Sequence, residues 1–228
     1  MKNSKFKIGI CLRPSCYAVT FEYHPPMTLT RLGILISGGG SNMKKIAAAC
    51  EAGEVPAEVA VVISNRADAP GLEWAAENGL VTDVLPHRAY PSREAHDRAI
   101  VERLHEAAVE WVCLAGYMRV LSAYFVEAYR NRILNIHPAL LPAFPGLHGP
   151  RQAWQYGVKV SGCTVHFVDL ELDHGPIVVQ RAVPVLPDDD EERLAARILE
   201  QEHFAYSNAL KILLTQPWRI EGRRVVLG

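Results

Sequence analysis

The sequence predicts an α/β protein whose open, mostly parallel, Rossmann-like sheet carries helices on both faces and an antiparallel strand pair toward the C-terminal half. From Arg31 onward, short apolar runs alternate with helical patterns, which is the signature of β-α-β units. The first apolar run leads directly into a glycine-rich loop and then a helical pattern. After Pro150 the alternation stops, and two strand-like segments follow each other as an antiparallel pair would.

The parallel part of the sheet is predicted from five apolar runs and the helical patterns between them. The first two helices end at Gly53 and Gly79, because glycine commonly stands just beyond a helix end. The third helix is capped by Ser92 and is expected to run through Glu110. The predicted strands are residues 31–36, 57–64, 82–85, 111–114 and 133–136.

The antiparallel pair is predicted over residues 162–168 and 177–185. Pro184 cannot donate a hydrogen bond to a neighbouring strand, so the second segment is expected to lie at an edge or to end there. The acidic run 188–192 then favours the start of a long helix, since carboxylates are stabilising at a helix amino end. We expect that helix to continue to about Thr215.

Composition limits the function. Hydrophobic residues make up 49% of the 228 residues and charged residues 21%, which suits the core of one domain. A net charge of −1 excludes the basic footprint of a nucleic-acid or membrane-surface binder. Five cysteines without clustering indicate neither a metal site nor a disulfide framework. We therefore expect a cytoplasmic protein without a nucleic-acid or membrane partner; its oligomeric state, monomer or homodimer, stays open.

The two ends of the chain are predicted to differ from its centre. Residues 1–26 lack the periodicity of a helix or strand, and their short apolar stretch is broken by Arg13 and Pro14, unlike a signal peptide. We expect an atypical, poorly ordered N-terminal extension there. The predicted domain then covers residues 27–216, and residues 217–228 are assigned to a C-terminal tail.

The glycine loop, SGGGSN at residues 37–42, predicts an anion site. Glycines let the backbone approach a ligand, and the free N–H groups of the following helix favour negative charge. Ser41 and Asn42 add side-chain donors. A dinucleotide fingerprint would need a third glycine where Met43 stands, so a phosphate monoester fits better. A tight turn without a ligand is the alternative.

A second candidate site is predicted where the fifth strand ends. Asn135 and His137 alternate onto one face of that strand, and Pro138 ends it. The carboxyl ends of parallel strands are where open α/β sheets bind ligands. Asp173, in the turn between the two later strands, could pair with His137 and stabilise its cation. Taken singly, each of these residues is more often structural than catalytic.

Together these motifs resemble the phosphoribosylglycinamide formyltransferases, folate-dependent enzymes of purine synthesis. The resemblance extends from about Arg31 to Gln216 and is specific, because six segments occur in the family's order. These segments are ILISGGGSN (34–42), VVISNRADAPGLEWA (61–75), LAGYMRVLS (114–122), NIHPALLPAFPGLHGPRQA (135–153), GCTVHFVDLELDHGP (162–176) and QEH (201–203).

The resemblance implies a role for each matching residue and 10-formyltetrahydrofolate as co-substrate, without a metal. Asn135, His137 and Asp173 would be catalytic, and Glu202 would contact the ribotide. His166 would face the same region, with a packed core histidine as the alternative. The phosphate would be bound by Gly40, Ser41 and Asn42, and the folate by Arg93, Tyr117, Met118, Arg119, Val120 and Leu121.

Three functions remain open at this point. The implied reaction transfers the formyl group to the amine of glycinamide ribonucleotide. A hydrolase would transfer the same group to water, and a regulator would bind folate or nucleotide without catalysis. The glycine loop argues against the hydrolase, and an acid–base pair argues against the regulator. The sequence also leaves open whether the Leu141–Pro142 bond is cis or trans.

Overall fold

The computed structural model describes residues 29–228. The predicted extension at residues 1–26 therefore lies outside the described residues, as does the predicted start of the domain at Met27. Within residues 29–228 the strands form one sheet. They are β1 (Thr30–Ile36), β2 (Ala57–Ser64), β3 (Thr82–Val84), β4 (Trp111–Leu114), β5 (Ile133–His137), β6 (Val160–Phe167), β7 (Ile177–Pro184), β8 (Trp218–Glu221) and β9 (Arg224–Leu227).

The sheet has the order β3-β2-β1-β4-β5-β6-β7-β9-β8. The strands from β3 to β5 run parallel, which confirms the predicted β-α-β units. The direction changes at β6, which is antiparallel to both β5 and β7. The predicted antiparallel pair is thus confirmed, and β7 ends at Pro184 as its missing N–H requires.

Six helices connect and cover the strands. Ser92 caps α3 as predicted, because its Oγ accepts the Ala95 N–H at 3.1 Å. That helix stops at Glu106 rather than Glu110, since Ala108 adopts a left-handed backbone with φ 50°. The helices are α1 (Ser41–Glu51), α2 (Pro70–Glu77), α3 (Arg93–Glu106), α4 (Ala123–Ala128), α5 (Gly149–Tyr156) and α6 (Glu191–Thr215).

The core consists of two apolar clusters, one on each face of the sheet. Neighbouring residues of β1 alternate between them: Ile34 packs in the cluster with α1, α2, α5 and α6, and Leu35 in the cluster with α3 and α4. This confirms helices on both faces. Tyr206 of α6 shares its hydroxyl proton between the carbonyl oxygens of Leu114 and Leu134, at 3.1 and 2.9 Å. The longest helix is therefore fixed to the ends of β4 and β5.

Residues 217–228 differ from the predicted tail. They form the hairpin β8–β9, which extends the sheet beyond β7. The Trp218 ring packs against two core aromatics, with its centroid 5.2 Å from that of Phe167 and 6.0 Å from that of Trp111. Its Nε1 donates to the Leu213 carbonyl at 3.0 Å. Two four-residue strands give too short a pattern to recognise, and Trp218, Ile220 and Val225 pack them against the core.

Two further observations concern the described part of the chain. None of its helices is both long and apolar enough to cross a membrane. Within residues 29–228, no group of three or more His, Cys, Asp or Glu side chains is arranged to hold a metal ion.

The start of α6 generates a prediction about acid stability. Asp189 is 1% exposed and accepts from Arg197 at 2.6 and 2.8 Å, which lowers the pKa of the carboxyl to about 2. An unfolded aspartate titrates near 3.9, so this stabilisation is complete above about pH 4 and is lost as the pH falls toward 2. Asp189→Asn should lower the Tm by several degrees at pH 7, and the difference should shrink below pH 4.

Thermal unfolding at several pH values measures this difference. Asp188→Asn is the matched control, because the Asp188 side chain is 79% exposed and lies 3.5 Å from Arg193. Its Tm should equal that of the parent protein. A Tm deficit of Asp189→Asn that is as large at pH 2.5 as at pH 7 would contradict the assignment.

Candidate active site

His137 is the last residue of β5, and its side chain is 4% exposed. Its Nε2 lies 2.8 Å from the Phe144 carbonyl oxygen, so this nitrogen must carry a proton and donate. Its Nδ1 lies 3.4 Å from Asp173 Oδ2. Both ring nitrogens thus face oxygen acceptors, so each could donate to an oxygen when the ring is an imidazolium. The predicted pairing of His137 with Asp173 is present.

Asp173 lies in the loop between β6 and β7, with its side chain 7% exposed. Its backbone is left-handed, with φ 52°. Its Oδ2 accepts the Gly146 N–H at 2.7 Å, and its Oδ1 is 3.8 Å from His166 Nε2. The carboxylate therefore accepts a backbone N–H from the loop after β5 and faces the His137 ring, and such contacts are how a buried charge is stabilised.

His166 lies directly opposite Asn135 in the antiparallel register of β5 and β6. Its Nδ1 is 2.7 Å from the Phe167 carbonyl oxygen and so donates, which leaves Nε2 to accept from Asn135 Nδ2 at 3.3 Å. Burial lowers the pKa of His166 and so favours this neutral form. His166 thus contacts the Asn135 amide while its own ring is buried.

Thr164 holds the loop that follows β5 and was not singled out from the sequence. It lies opposite His137 in the register, and its Oγ1 accepts the Leu141 N–H at 3.0 Å and donates to the Ala139 carbonyl at 2.7 Å. The Leu141–Pro142 bond in this loop is cis. The loop in turn supplies the Phe144 carbonyl and the Gly146 N–H, two backbone groups that no sequence motif marks.

The backbone of the glycine loop is closely approached by the start of α2. Gly40 is left-handed, with φ 64°, directly before α1. The Gly71 N–H donates to the Gly38 carbonyl at 3.0 Å, and a Cβ on Gly71 would stand 2.8 Å from that oxygen. α2 therefore packs directly against the glycine loop, and only glycine fits at that contact.

The Asn42 side chain is held by a hydrogen bond to Glu202. Its Nδ2 donates to Glu202 Oε2 at 2.7 Å, while its Oδ1 is buried without a partner among the described residues. Burial raises the pKa of Glu202, and the hydrogen bond from Asn42 opposes that rise. Two predicted ligands, 160 positions apart, thus contact each other at the start of α1. Ser41 remains partly exposed beside them.

The predicted folate segment, residues 117–121, is held by side chains at both ends. The Met118 N–H donates to Ser37 Oγ at 2.8 Å, and the Ser122 N–H donates to Asp97 Oδ2 at 2.5 Å. Ser37 also donates to Asn65 Oδ1 at 2.6 Å, so one buried hydroxyl joins the glycine loop to this segment. Asp97 is buried on α3, but its charged surroundings in the sequence give no sign of this burial.

The side chains of the folate segment divide between surface and core. Met118 and Val120 are exposed, whereas Tyr117 packs into the α3–α4 cluster. The Tyr117 side chain thus faces away from the surface, and burial raises the pKa of its hydroxyl. Arg119 and Leu121 are half-buried. Arg93 is exposed in the first turn of α3, the helix that carries Asp97.

Known proteins match this fold and site. A sequence model of the formyl transferase family matches residues 30–210. The phosphoribosylglycinamide formyltransferase of Escherichia coli is 45% identical over 190 residues, which is 83% of this chain and 87% of that protein. The trifunctional purine biosynthetic protein adenosine-3 of Drosophila pseudoobscura is 50% identical over 80% of this chain, which spans only 14% of that longer protein.

A solved structure agrees with the sequence matches. The glycinamide ribonucleotide transformylase 1 of Symbiobacterium toebii superposes with a TM-score of 0.86 and 52% identity, covering 87% of this chain and 94% of that one. The matched region contains every residue of the site described above. The chain therefore belongs to the formyl transferase family.

Proposed function

We propose that this protein transfers the formyl group of 10-formyltetrahydrofolate to the amine of glycinamide ribonucleotide, in purine biosynthesis. The observation that carries the proposal is the buried His137–Asp173 pair beside Asn135, at the end of β5. The glycine loop follows β1, and β4 alone separates β1 from β5 in the sheet. An acid–base group and an anion site are therefore neighbours, as a transfer to a phosphorylated amine requires.

In the proposed reaction the amine attacks the formyl carbon and forms a tetrahedral intermediate. Asn135 Nδ2 has two N–H groups. One donates a hydrogen bond to His166 Nε2, so the other can donate to the developing oxyanion. His137 Nε2 is committed to Phe144, so its Nδ1 is the atom that can meet the substrate. Asp173 would stabilise the imidazolium that forms when His137 holds the proton from the amine. The proton then passes to N10, the bond between the formyl carbon and N10 breaks, and tetrahydrofolate leaves.

The ribotide would be held by its phosphate and by Glu202. The backbone of Gly40 and the start of α1 present N–H groups and a partial positive charge, and Ser41 adds a hydroxyl. We assign Asn42 a backbone contact with the phosphate, because its side chain is engaged with Glu202. The remaining oxygen of Glu202 is then available for a polar group of the ribotide.

The folate would lie across the segment of residues 117–121, with Arg93 toward its charged benzoyl-glutamate end. Three loops of the site carry exposed apolar side chains that would be available to an aromatic ligand. They are Met118, Val120, Leu147, Leu170 and Leu172. The segment would bind the pterin through its backbone.

The cellular setting proposed here is the cytoplasm, with the two small molecules as partners and without nucleic acid, membrane or metal. Cys50, Cys113 and Cys163 have free thiols, as expected in a reducing compartment. The transfer would be carried out by a monomer or a homodimer.

The function is tested by following the loss of formyl from 10-formyltetrahydrofolate in the purified protein. We expect turnover that requires glycinamide ribonucleotide, because the glycine loop binds a phosphorylated acceptor. Equal turnover without the ribotide would identify a hydrolase. Binding of folate without turnover in either mixture would identify a regulator, and both results would reject the proposal.

Removal of either member of the acid–base pair should stop the reaction. His137→Ala and Asp173→Ala are each expected to reduce kcat by about 10²-fold or more, since proton transfer by a positioned group contributes that much. Steady-state kinetics with both substrates saturating measures the loss. His105→Ala, an exposed histidine on α3, is the control and should retain the parent kcat. Near-normal turnover in the first two variants would reject their roles.

Two serines should separate the two substrates. Ser41→Ala should raise the KM of the ribotide by about tenfold with little change in kcat, because the lost contact persists from ground to transition state. Ser37→Ala removes the acceptor of the Met118 N–H and should raise mainly the KM for folate. Initial rates with one substrate varied at a time distinguish the two. If both variants raise the same KM, the assignment of the subsites is wrong.

A further inference from the structure

The loop that carries Asp173 is unusual in its backbone. Phe167 N–H donates to the Pro176 carbonyl at 2.9 Å and closes the base of the loop. Gly175 packs so tightly there that a Cβ would clash with the Phe167 carbonyl. Asp173 itself is left-handed, with φ 52°, a conformation that a residue with a side chain keeps only when its surroundings hold it.

One of these surroundings is the C-terminal hairpin. Arg223, in the turn between β8 and β9, donates from Nη2 to the carbonyl oxygen of His174 at 2.6 Å. Its Nη1 contacts Nε2 of the same histidine. The guanidinium therefore binds both the backbone and the ring of the residue that directly follows Asp173, a two-pronged contact that a planar fork of donors allows.

The His174 ring also contacts Asp169, at the start of the loop. Its Nδ1 is 2.8 Å from Asp169 Oδ2, so Nδ1 donates and Nε2 is left to accept from Arg223. The other Asp169 oxygen accepts the Glu171 N–H at 3.0 Å. Arg223, His174 and Asp169 thus form one chain of hydrogen bonds that spans the loop on both sides of Asp173.

The hairpin that carries Arg223 packs against both ends of the loop. Trp218 packs against Phe167, the residue at the base of the same loop, with ring centroids 5.2 Å apart. Arg224 of β9 pairs with Ile177, the first residue of β7 after the loop. The match to the formyl transferase family ends at residue 210, so Arg223 lies beyond the matched region.

We propose that the C-terminal hairpin positions the active site, and that Arg223 is a positioning residue that holds Asp173 against His137 through His174. The inference rests on the proposed function, because it assumes that Asp173 acts in the transfer. The Gly146 N–H binds the Asp173 carboxylate, and Arg223 binds the backbone carbonyl of the next residue, His174.

The test compares two arginines of the same hairpin. Arg223→Ala should lower kcat by about tenfold, because a small displacement of a catalytic group is costly, and should leave the KM of the ribotide unchanged. Arg219→Ala is the matched control, since that side chain is 61% exposed and pairs with Glu221 within the hairpin. Arg223→Lys should recover part of the lost kcat, because an ammonium can reach one of the two acceptors.

A double-mutant cycle separates positioning from a general loss of stability. His174→Ala should lower kcat, and adding it to Arg223→Ala should lower kcat by less than the sum of the two effects, because both variants break the chain of hydrogen bonds between Arg223 and Asp169. The Tm of Arg223→Ala should stay close to that of Arg219→Ala. Equal kcat in the two arginine variants, or a fully additive cycle, would overturn the inference.

Asp173→Ala in the same assay shows whether a negative result rejects the role of the hairpin alone or the role of Asp173 as well. If Asp173→Ala is inactive while Arg223→Ala is unaffected, the proposed function stands and the inference about the hairpin is rejected. If Asp173→Ala keeps its kcat, the role of Asp173 fails and the inference fails with it.

Discussion

The antiparallel pairing of β6 with β5 is the constraint on which the active site depends. It places His166 opposite Asn135 and Thr164 opposite His137. One partner orients the amide that would meet the oxyanion, and the other holds the loop whose carbonyl binds the imidazole. Because side chains alternate along a strand, a shift of one residue would turn both partners to the opposite face. The register therefore sets the chemistry as well as the fold.

The parts of the fold that could be predicted are those with a long periodic pattern. The alternation of strands and helices gave the parallel sheet, and the carboxyl end of β5 gave the site. The hairpin β8–β9 lies outside that alternation and consists of two four-residue strands, so packing rather than periodicity determines it. The hairpin was not predicted for this reason, since Trp218 is anchored by residues distant in sequence.

Within the site, residue identities were easier to predict than contacts. The pairing of His137 with Asp173 followed from their place at loop ends, but the contact of Asn42 with Glu202 did not, because nothing local relates two residues on different helices. Backbone groups were harder still. The Phe144 carbonyl and the Gly146 N–H orient the acid–base pair, yet a backbone group involves no characteristic side chain that a sequence motif could mark.

The buried Ser37 hydroxyl has a consequence for how the two substrates influence each other. It is the first residue of the glycine loop and also holds the Met118 N–H of the folate segment. The Ser37 N–H also donates to the Gly116 carbonyl at 3.2 Å, directly before the folate segment, so the two loops share two contacts at this one residue. Binding linkage is reciprocal, so any effect of bound ribotide on the free energy of folate binding would equal the effect of bound folate on ribotide binding. If the two substrates bind as proposed, Ser37 is the residue at which their subsites would be coupled.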